Sequence, residues 1–575
     1  MLFTKFLKRV YLDVQVKMEE AKLESLLNKF DAVGAQAFSD EITEILEKRG
    51  EAKFSTAVSV INKLNSLNRL NQNDVVTLLA NVKSCKASML WKITFLLEVD
   101  IVNDEIWNQF VDTALTKTSE VEDYRGIHSL CNKVFRRMGG NALRHFQPHS
   151  EKILALRSKL QSCDIAVDLQ DKATDISPSI SSDAPLKIAC VISTWPQKTD
   201  STHMGVVYLL KELVTNGAEE NEFHLIISGE SENFSPYGRL TSLSEEVTQA
   251  QVNHWLSNGG KQEHLYSNID MKNDASTKNV KIIDAINHVS SVKPDLIVYI
   301  GGPYESTFFR RLMLPYFATC VVPTSINGTP APGFDGVIAT SDEAADKFMK
   351  RFKGLTYRVP KPFMLFQNSN EYNGWFPKVD NGSIVVATVL GGNRIQKCLS
   401  NLSESELNTI ASIFLDNDNL TWILVGKTDM QKIAGLSEEF KYLVENQQIV
   451  YIEYVTEIRS FLRKLDVFFV IPGMTGGGQG AQAAMFENVA VVCPFVCDVG
   501  GIVPKEGKFK NISECKVVFE KVQDAQFLTE LKEACNTAVK SNSIENVATE
   551  WQTTFKGMIE DARTRLKTKN TSNQP

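Results

Sequence analysis

Near the C-terminal end, Leu465-Asp466-Val467-Phe468-Phe469-Val470-Ile471-Pro472 runs directly into Gly473-Met474-Thr475-Gly476-Gly477-Gly478-Gln479-Gly480 and then into Ala481-Gln482-Ala483-Ala484-Met485-Phe486. An apolar run of strand length, a glycine cluster and a stretch of helix formers reads as a buried parallel strand, a tight turn and a helix start. In that arrangement free backbone N–H groups and the positive end of a helix dipole converge on one spot, which suits a phosphate. The segment therefore points to an α/β sheet and to nucleotide-linked chemistry.

Length and charge narrow the classes further. A chain of 575 residues should hold about three compact units, because single cores stop growing at roughly 250 to 300 residues. The 62 Lys and Arg against 69 Asp and Glu leave a net charge of −7, too acidic overall for a protein whose main partner is nucleic acid. Ten cysteines are scattered without a C-x-x-C pair. The closest two, Cys493 and Cys497, lie in an apolar stretch and read as reduced core thiols of a cytoplasmic protein. At the start, Met1 to Leu12 interrupts its apolar residues with charge and shows no small-residue cleavage site, so it reads as a packed amphipathic helix, with at most a peripheral touch on a membrane surface. No apolar run reaches the 18 or so residues of a spanning helix.

The texture changes twice along the chain. Residues 1–162 carry helical spacing, as in Val58-Ile61-Leu64-Leu67 and Val75-Leu78-Leu79-Val82, and predict an all-helical domain. Its candidate caps are Asp40 with Thr43, Asn73, and Asn103. Residues 163–185 end in a Ser/Asp/Pro run that reads as a linker. From 186 to 366 short apolar strands alternate with helices: Leu186 to Ile192, Glu222 to Ile227, Asp295 to Ile300, Ala318 to Val322 and Gly336 to Thr340. A second series, within 367–575, contains Ser383 to Leu390, Thr421 to Gly426, Gln448 to Ile452, Asp466 to Ile471 and Ala490 to Cys493. Strand-helix alternation implies a parallel sheet covered on both faces. The expected architecture is α/β: two doubly wound Rossmann-like domains facing each other across a cleft, preceded by an all-α domain.

Over about residues 186 to 566 the sequence resembles the GT-B glycosyltransferases. The resemblance rests on an ordered set of matches: His203-Met204-Gly205 between a strand and a helix; Phe334-Asp335-Gly336-Val337-Ile338-Ala339-Thr340-Ser341-Asp342-Glu343; the loop Gly391-Gly392-Asn393-Arg394-Ile395-Gln396-Lys397; the strand Trp422 to Gly426; and the glycine-rich turn. Glu550-Trp551-Gln552-Thr553-Thr554-Phe555-Lys556 is similar to the last helix of that fold, which crosses back to the first domain. A helical domain ahead of a GT-B pair is also similar to the architecture of bacterial cytoplasmic protein glycosyltransferases, which implies a protein or glycan acceptor recruited through the first domain.

The resemblance implies a metal-independent transfer from a nucleotide sugar, UDP-linked, with no further cofactor. Arg394 and Lys397 stand where the family places cations against the departing diphosphate, where Arg grips phosphate oxygens bidentately and Lys acts as a point charge. Gly477, Gly478 and Gln479 would bring main-chain donors to the same phosphates. Glu453 and Tyr454 follow a strand at the family's base-binding position, His203 is the candidate to take a proton from the acceptor hydroxyl, and Glu305 is a second cleft carboxylate. Each has a plainer reading: solvated loop residues, a tight turn without a ligand, a structural histidine. The chain departs from the family's retaining members, whose paired Glu positions are Thr475 and Ala483 here, with Gln479 or Gln482 as substitutes for ribose or phosphate contacts. A scaffold that has lost its chemistry and a sugar-nucleotide epimerase are the alternatives. No metal site is expected: Pro148 spoils the His145 and His149 pair, and Asp416-Asn417-Asp418 reads as a solvated turn.

Overall fold

The computed structural model describes scattered positions of 25–44, residue 64, and residues 72–81. From 185 onward it describes 185–192, 195–196, 202–228, 245–267, 285, 287–300, 317–323, 334–350, 354–364, 371–378, 382–391, 394–474 and 478–572. The chain divides into two compact units, the second of which carries both sheets.

Described residues of the first unit are helical, and α1 spans Gln72–Asn81. Two of the expected caps fall elsewhere. Ser39 and Thr43 donate their hydroxyls to the carbonyls of Ala35 and Ser39, 2.8 Å each. That back-bonding to the preceding turn is a mid-helix habit, so Asp40 and Thr43 sit inside a helix. Asn73 is the second residue of α1, which opens at Gln72. Asn103 and the linker up to Ala184 lie outside the described residues.

The second unit begins with β1 (Lys187–Ile192), α2 (Thr202–Thr215) and β2 (Glu222–Ile227). It continues through α3 (Glu245–Ser257), β3 (Leu265–Ser267), β4 (Leu296–Ile300), β5 (Ala318–Val322), β6 (Gly336–Ala339), α4 (Asp342–Met349) and β7 (Leu355–Arg358). All seven strands are parallel neighbours in the order β3-β2-β1-β4-β5-β6-β7. The residues explain why: β4, β5 and β6 are buried at every position, as strands covered on both faces must be.

The second sheet repeats the plan. It contains β8 (Ile384–Val389), α5 (Arg394–Ser400), α6 (Glu404–Leu415), β9 (Leu420–Val425), β10 (Ile449–Ile452), β11 (Val467–Phe469), α7 (Gly478–Phe486), β12 (Ala490–Pro494) and β13 (Lys508–Phe509). Its strand order is β10-β9-β8-β11-β12-β13. Ser403 starts α6 with a capping box, its hydroxyl accepting from the Glu406 amide while the Glu406 carboxylate accepts from the Ser403 amide. Both expected series of strands are present. Three further strands, β3, β7 and β13, are short and lie at or next to sheet edges, and none shows the continuous apolar run that marks the others.

The last helix, α8 (Ile544–Ser572), belongs by sequence to the second half but packs on the first sheet. Ile544, Val547, Trp551, Phe555 and Met558 are spaced three and four apart, on one face, and share a core with Ile188 and Leu225. Gln552 donates its side-chain amide to the carbonyls of Leu213, Val214 and Asn216 at 2.9, 3.2 and 3.0 Å. Those carbonyls are at the C-terminal end of α2, where a helix leaves acceptors unsatisfied. Trp551 is 1% exposed and its indole N–H reaches the Pro360 carbonyl at 3.0 Å, while the Tyr357 hydroxyl donates to Asp561.

Candidate functional site

Each sheet reverses its strand order beside its first strand, at β1/β4 in one and β8/β11 in the other. Loops leave such a switch point in opposite directions and open a crevice beyond the carboxyl ends of the strands. In the second sheet, α5 follows β8 and α7 follows β11, so Arg394, Lys397 and the first turn of α7 all belong to that crevice. The glycine-rich segment thus ends as a helix start at Gly478.

The segment read as a loop around Arg394 becomes helical at that residue. Arg394 and Lys397 are consequently one turn apart and share a face. Arg394 is exposed, and its Nε donates to the Gly391 carbonyl at 2.8 Å, which orients the guanidinium over the strand end. A Cβ at Gly478 would come within 3.2 Å of the Asp498 Cβ, so the start of α7 and the turn after β12 touch. The Asp498 charge acts on both Arg394 and Lys361. Desolvation holds the Lys361 ammonium below the usual lysine range, opposed by Asp498 and Cys497. Lys361, Cys497, Asp498, Thr340 and Ser341 line one cavity.

The first sheet contributes the facing wall. His203 lies in the first turn of α2; its side chain is outside the described residues. Two positions on, Gly205 meets α7: a Cβ there would be 2.7 Å from Nε2 of the exposed Gln479. The opening turns of α2 and α7 therefore approach each other, one from each sheet. A second approach joins Gly501 to the end of β6, where a Cβ would be 2.6 Å from the Thr340 carbonyl oxygen.

The other named residues separate into groups. Glu453 and Tyr454 follow β10 at the same carboxyl edge, both exposed, Tyr454 at 66%. That edge strand is two places from β8. Gln482 is 3% exposed and donates to the Pro362 carbonyl at 3.1 Å, which makes it a tie to the segment entering the second sheet and removes it as a substitute ligand contact. Ala483 sits within α7. Gly477, Thr475 and Glu305 lie outside the described residues. Asp416 ends α6 and pairs with Lys516 at 2.6 Å, and Cys493 and Cys497 are both buried. Lys361 and Asp498 were not found from sequence: neither stands in a patterned segment, and only the return of the chain between sheets brings them together.

Two doubly wound sheets whose switch points face each other, with the last helix returned to the first, define a GT-B glycosyltransferase-like fold. No family description matches the chain, and no curated protein does. Among solved structures, the N-terminal domain of Candida albicans trehalose-6-phosphate phosphatase is similar at 11% identity, covering 66% of this chain and 99% of its own, with a TM-score of 0.42. A glycosyltransferase from Rickettsia africae has the same identity and TM-score over 65% of this chain and 99% of its own. Anabaena HepE, solved with UDP and glucose, is 11% identical over 65% of this chain and all of its own, again at 0.42. The fold assignment rests on the strand orders and the returned helix.

Proposed function

We propose that the chain is a glycosyltransferase that moves a sugar from a nucleotide-sugar donor, of the UDP class, to a protein or glycan acceptor. The observation that carries this reading is the placement of Arg394, Lys397 and the N-terminus of α7 at one switch point, opposite the first turn of α2. Two cations and a helix start at a strand edge match a diphosphate in charge and reach. On transfer, the bond from the anomeric carbon to the diphosphate oxygen breaks and a bond to the acceptor oxygen forms. The leaving diphosphate gains negative charge, which Arg394, Lys397 and the α7 amides stabilise. In this reading Gly477, Gly478 and Gln479 line the phosphates, Glu453 and Tyr454 flank the base, and His203 accepts the hydroxyl proton. The chain's own cations do the work a metal does elsewhere, and the helical N-terminal region receives the acceptor.

The test is calorimetric binding of UDP, GDP, ADP and CMP and their sugars to the full chain, to Arg394→Ala and to Lys397→Ala. The UDP series should bind, and each variant should weaken it about 10-fold or more, as expected for a lost charge-assisted hydrogen bond of roughly 1.5–3 kcal/mol. Absence of binding across the panel, or equal affinity in wild type and both variants, overturns the assignment. No helix among the described residues is long and apolar enough to cross a membrane.

A further inference from the structure

At the amino-terminal end of the first sheet, away from the crevice, three metal-ligating side chains converge. Glu222 opens β2 and His224 lies two residues on, so both project from one face of the strand. His264 ends the short turn Gln262–His264 that leads into β3, the parallel neighbour of β2, in the register Leu225 to Leu265. Glu222 Oε2 and His224 Nε2 are 2.9 Å apart, and the His224 and His264 ring centroids are 4.3 Å apart. One ligand atom from each residue lies within 4.8 Å of the other two. His224 is 6% exposed, and its Nδ1 is buried without a hydrogen-bond partner. A third imidazole, His288, stacks on Tyr266 of β3 at 4.6 Å and also buries a ring nitrogen without a partner.

We propose that Glu222, His224 and His264 form a site for a divalent cation of the zinc class, which clips edge strand β3 to β2. Two imidazoles and a carboxylate suit a borderline ion, and three protein ligands with one open position are a common zinc set. Bonds of about 2.0–2.2 Å in tetrahedral geometry place ligand atoms roughly 3.3 Å apart; Glu222 and His224 already stand at 2.9 Å, and His264, within 4.8 Å of both, closes the remaining distance on binding. An ion on His224 Nε2 takes that nitrogen's lone pair in place of its contact with Glu222 Oε2, with the ring proton carried on Nδ1. Glu222 can serve while keeping its ion pair, because Lys187 Nζ approaches its other oxygen, Oε1, at 3.3 Å. The role is structural: β3 has three residues, all half-exposed, and its ladder to β2 is short. A bond from each strand to one ion replaces what that ladder lacks.

The full chain, stripped with a chelator, is titrated with zinc ion alone in competition with a chromophoric chelator. Wild type should show one tight site per chain, and His264→Ala should lose at least about 100-fold in affinity, beyond the 10–100-fold cost of removing an outer-shell partner. His254→Ala, on α3 outside the cluster, should bind as wild type does. His264 is half-exposed, so its truncation should fold; if circular dichroism shows that it does not, Glu222→Gln is read in its place. Failure of wild type to compete for zinc, or undiminished affinity in the folded variant, overturns the proposal.

Discussion

At the scale of single residues, the second sheet is held by a buried chain of polar contacts within an apolar core. The Thr388 hydroxyl accepts from the Trp422 indole N–H at 3.1 Å and donates to the Phe469 carbonyl at 2.8 Å. Trp422 lies parallel to Phe414, ring centroids 5.0 Å apart. Thr388→Val keeps the shape but leaves the indole donor unpaired, a desolvation cost of about 1–3 kcal/mol. Urea unfolding should show that loss at an unchanged slope, and a midpoint equal to wild type would mean that the hydrogen bonds contribute nothing net. This is also the scale at which the sequence is least legible. Arg394 and Lys397 stand out beside a predicted strand and a pair of glycines, whereas Asp498 and Lys361 acquire meaning only from what the fold brings near them. Glu222 and His224 alternate along a strand as any half-buried pair does, and the His264 that turns them into a cluster comes from a neighbouring strand entry.

At the scale of elements, strands buried on both faces were legible because burial demands an unbroken apolar run. The boundaries that moved did so for polar reasons. Asp466, expected inside a strand, stands just before β11, with its carboxylate accepting from the Val385 amide at 3.0 Å and pairing with Lys532 at 2.7 Å. Strand β7 was missed because its pattern is exposed or half-exposed throughout, so backbone pairing to β6, not side-chain burial, defines it. The two glycine approaches between the sheets make opposite predictions. A Cβ at Gly205 meets the end of the exposed, flexible Gln479 side chain at 2.7 Å. Gly205→Ala should therefore leave stability unchanged or raise it by up to about 1 kcal/mol through helix propensity. A Cβ at Gly501 meets the Thr340 carbonyl oxygen at 2.6 Å and the Ser341 Cβ at 2.8 Å, which are backbone and a buried cap. Gly501→Ala should cost about 1–3 kcal/mol, as overpacking does. Thermal unfolding of the two variants side by side decides it, and equal shifts would show that the Thr340 approach is not close in solution.

At the scale of the two-sheet unit, the route of α8 decides how the halves depend on each other. The second core is built from its own strands and helices, whereas the first is completed by residues more than 180 positions later in sequence than its last strand, β7, including Trp551, Phe555 and Met558. That return was foreshadowed by the resemblance of Glu550 to Lys556 to a crossing helix, but its grip on the α2 carbonyls through Gln552 was not, since a lone glutamine carries no pattern. The arrangement predicts asymmetric damage. Trp551→Ala empties a fully buried indole site and orphans the Pro360 carbonyl, at a cost of about 3–5 kcal/mol. Because the cavity lies in the first core, amide hydrogen exchange should accelerate in β1, β4 and β5 while β8, β9 and β12 stay protected. Equal acceleration in both sheets would instead mean that the unit unfolds as one cooperative block, with α8 acting as its common strut, and would place the stability of the crevice beside β8 and β11 under the control of the same helix.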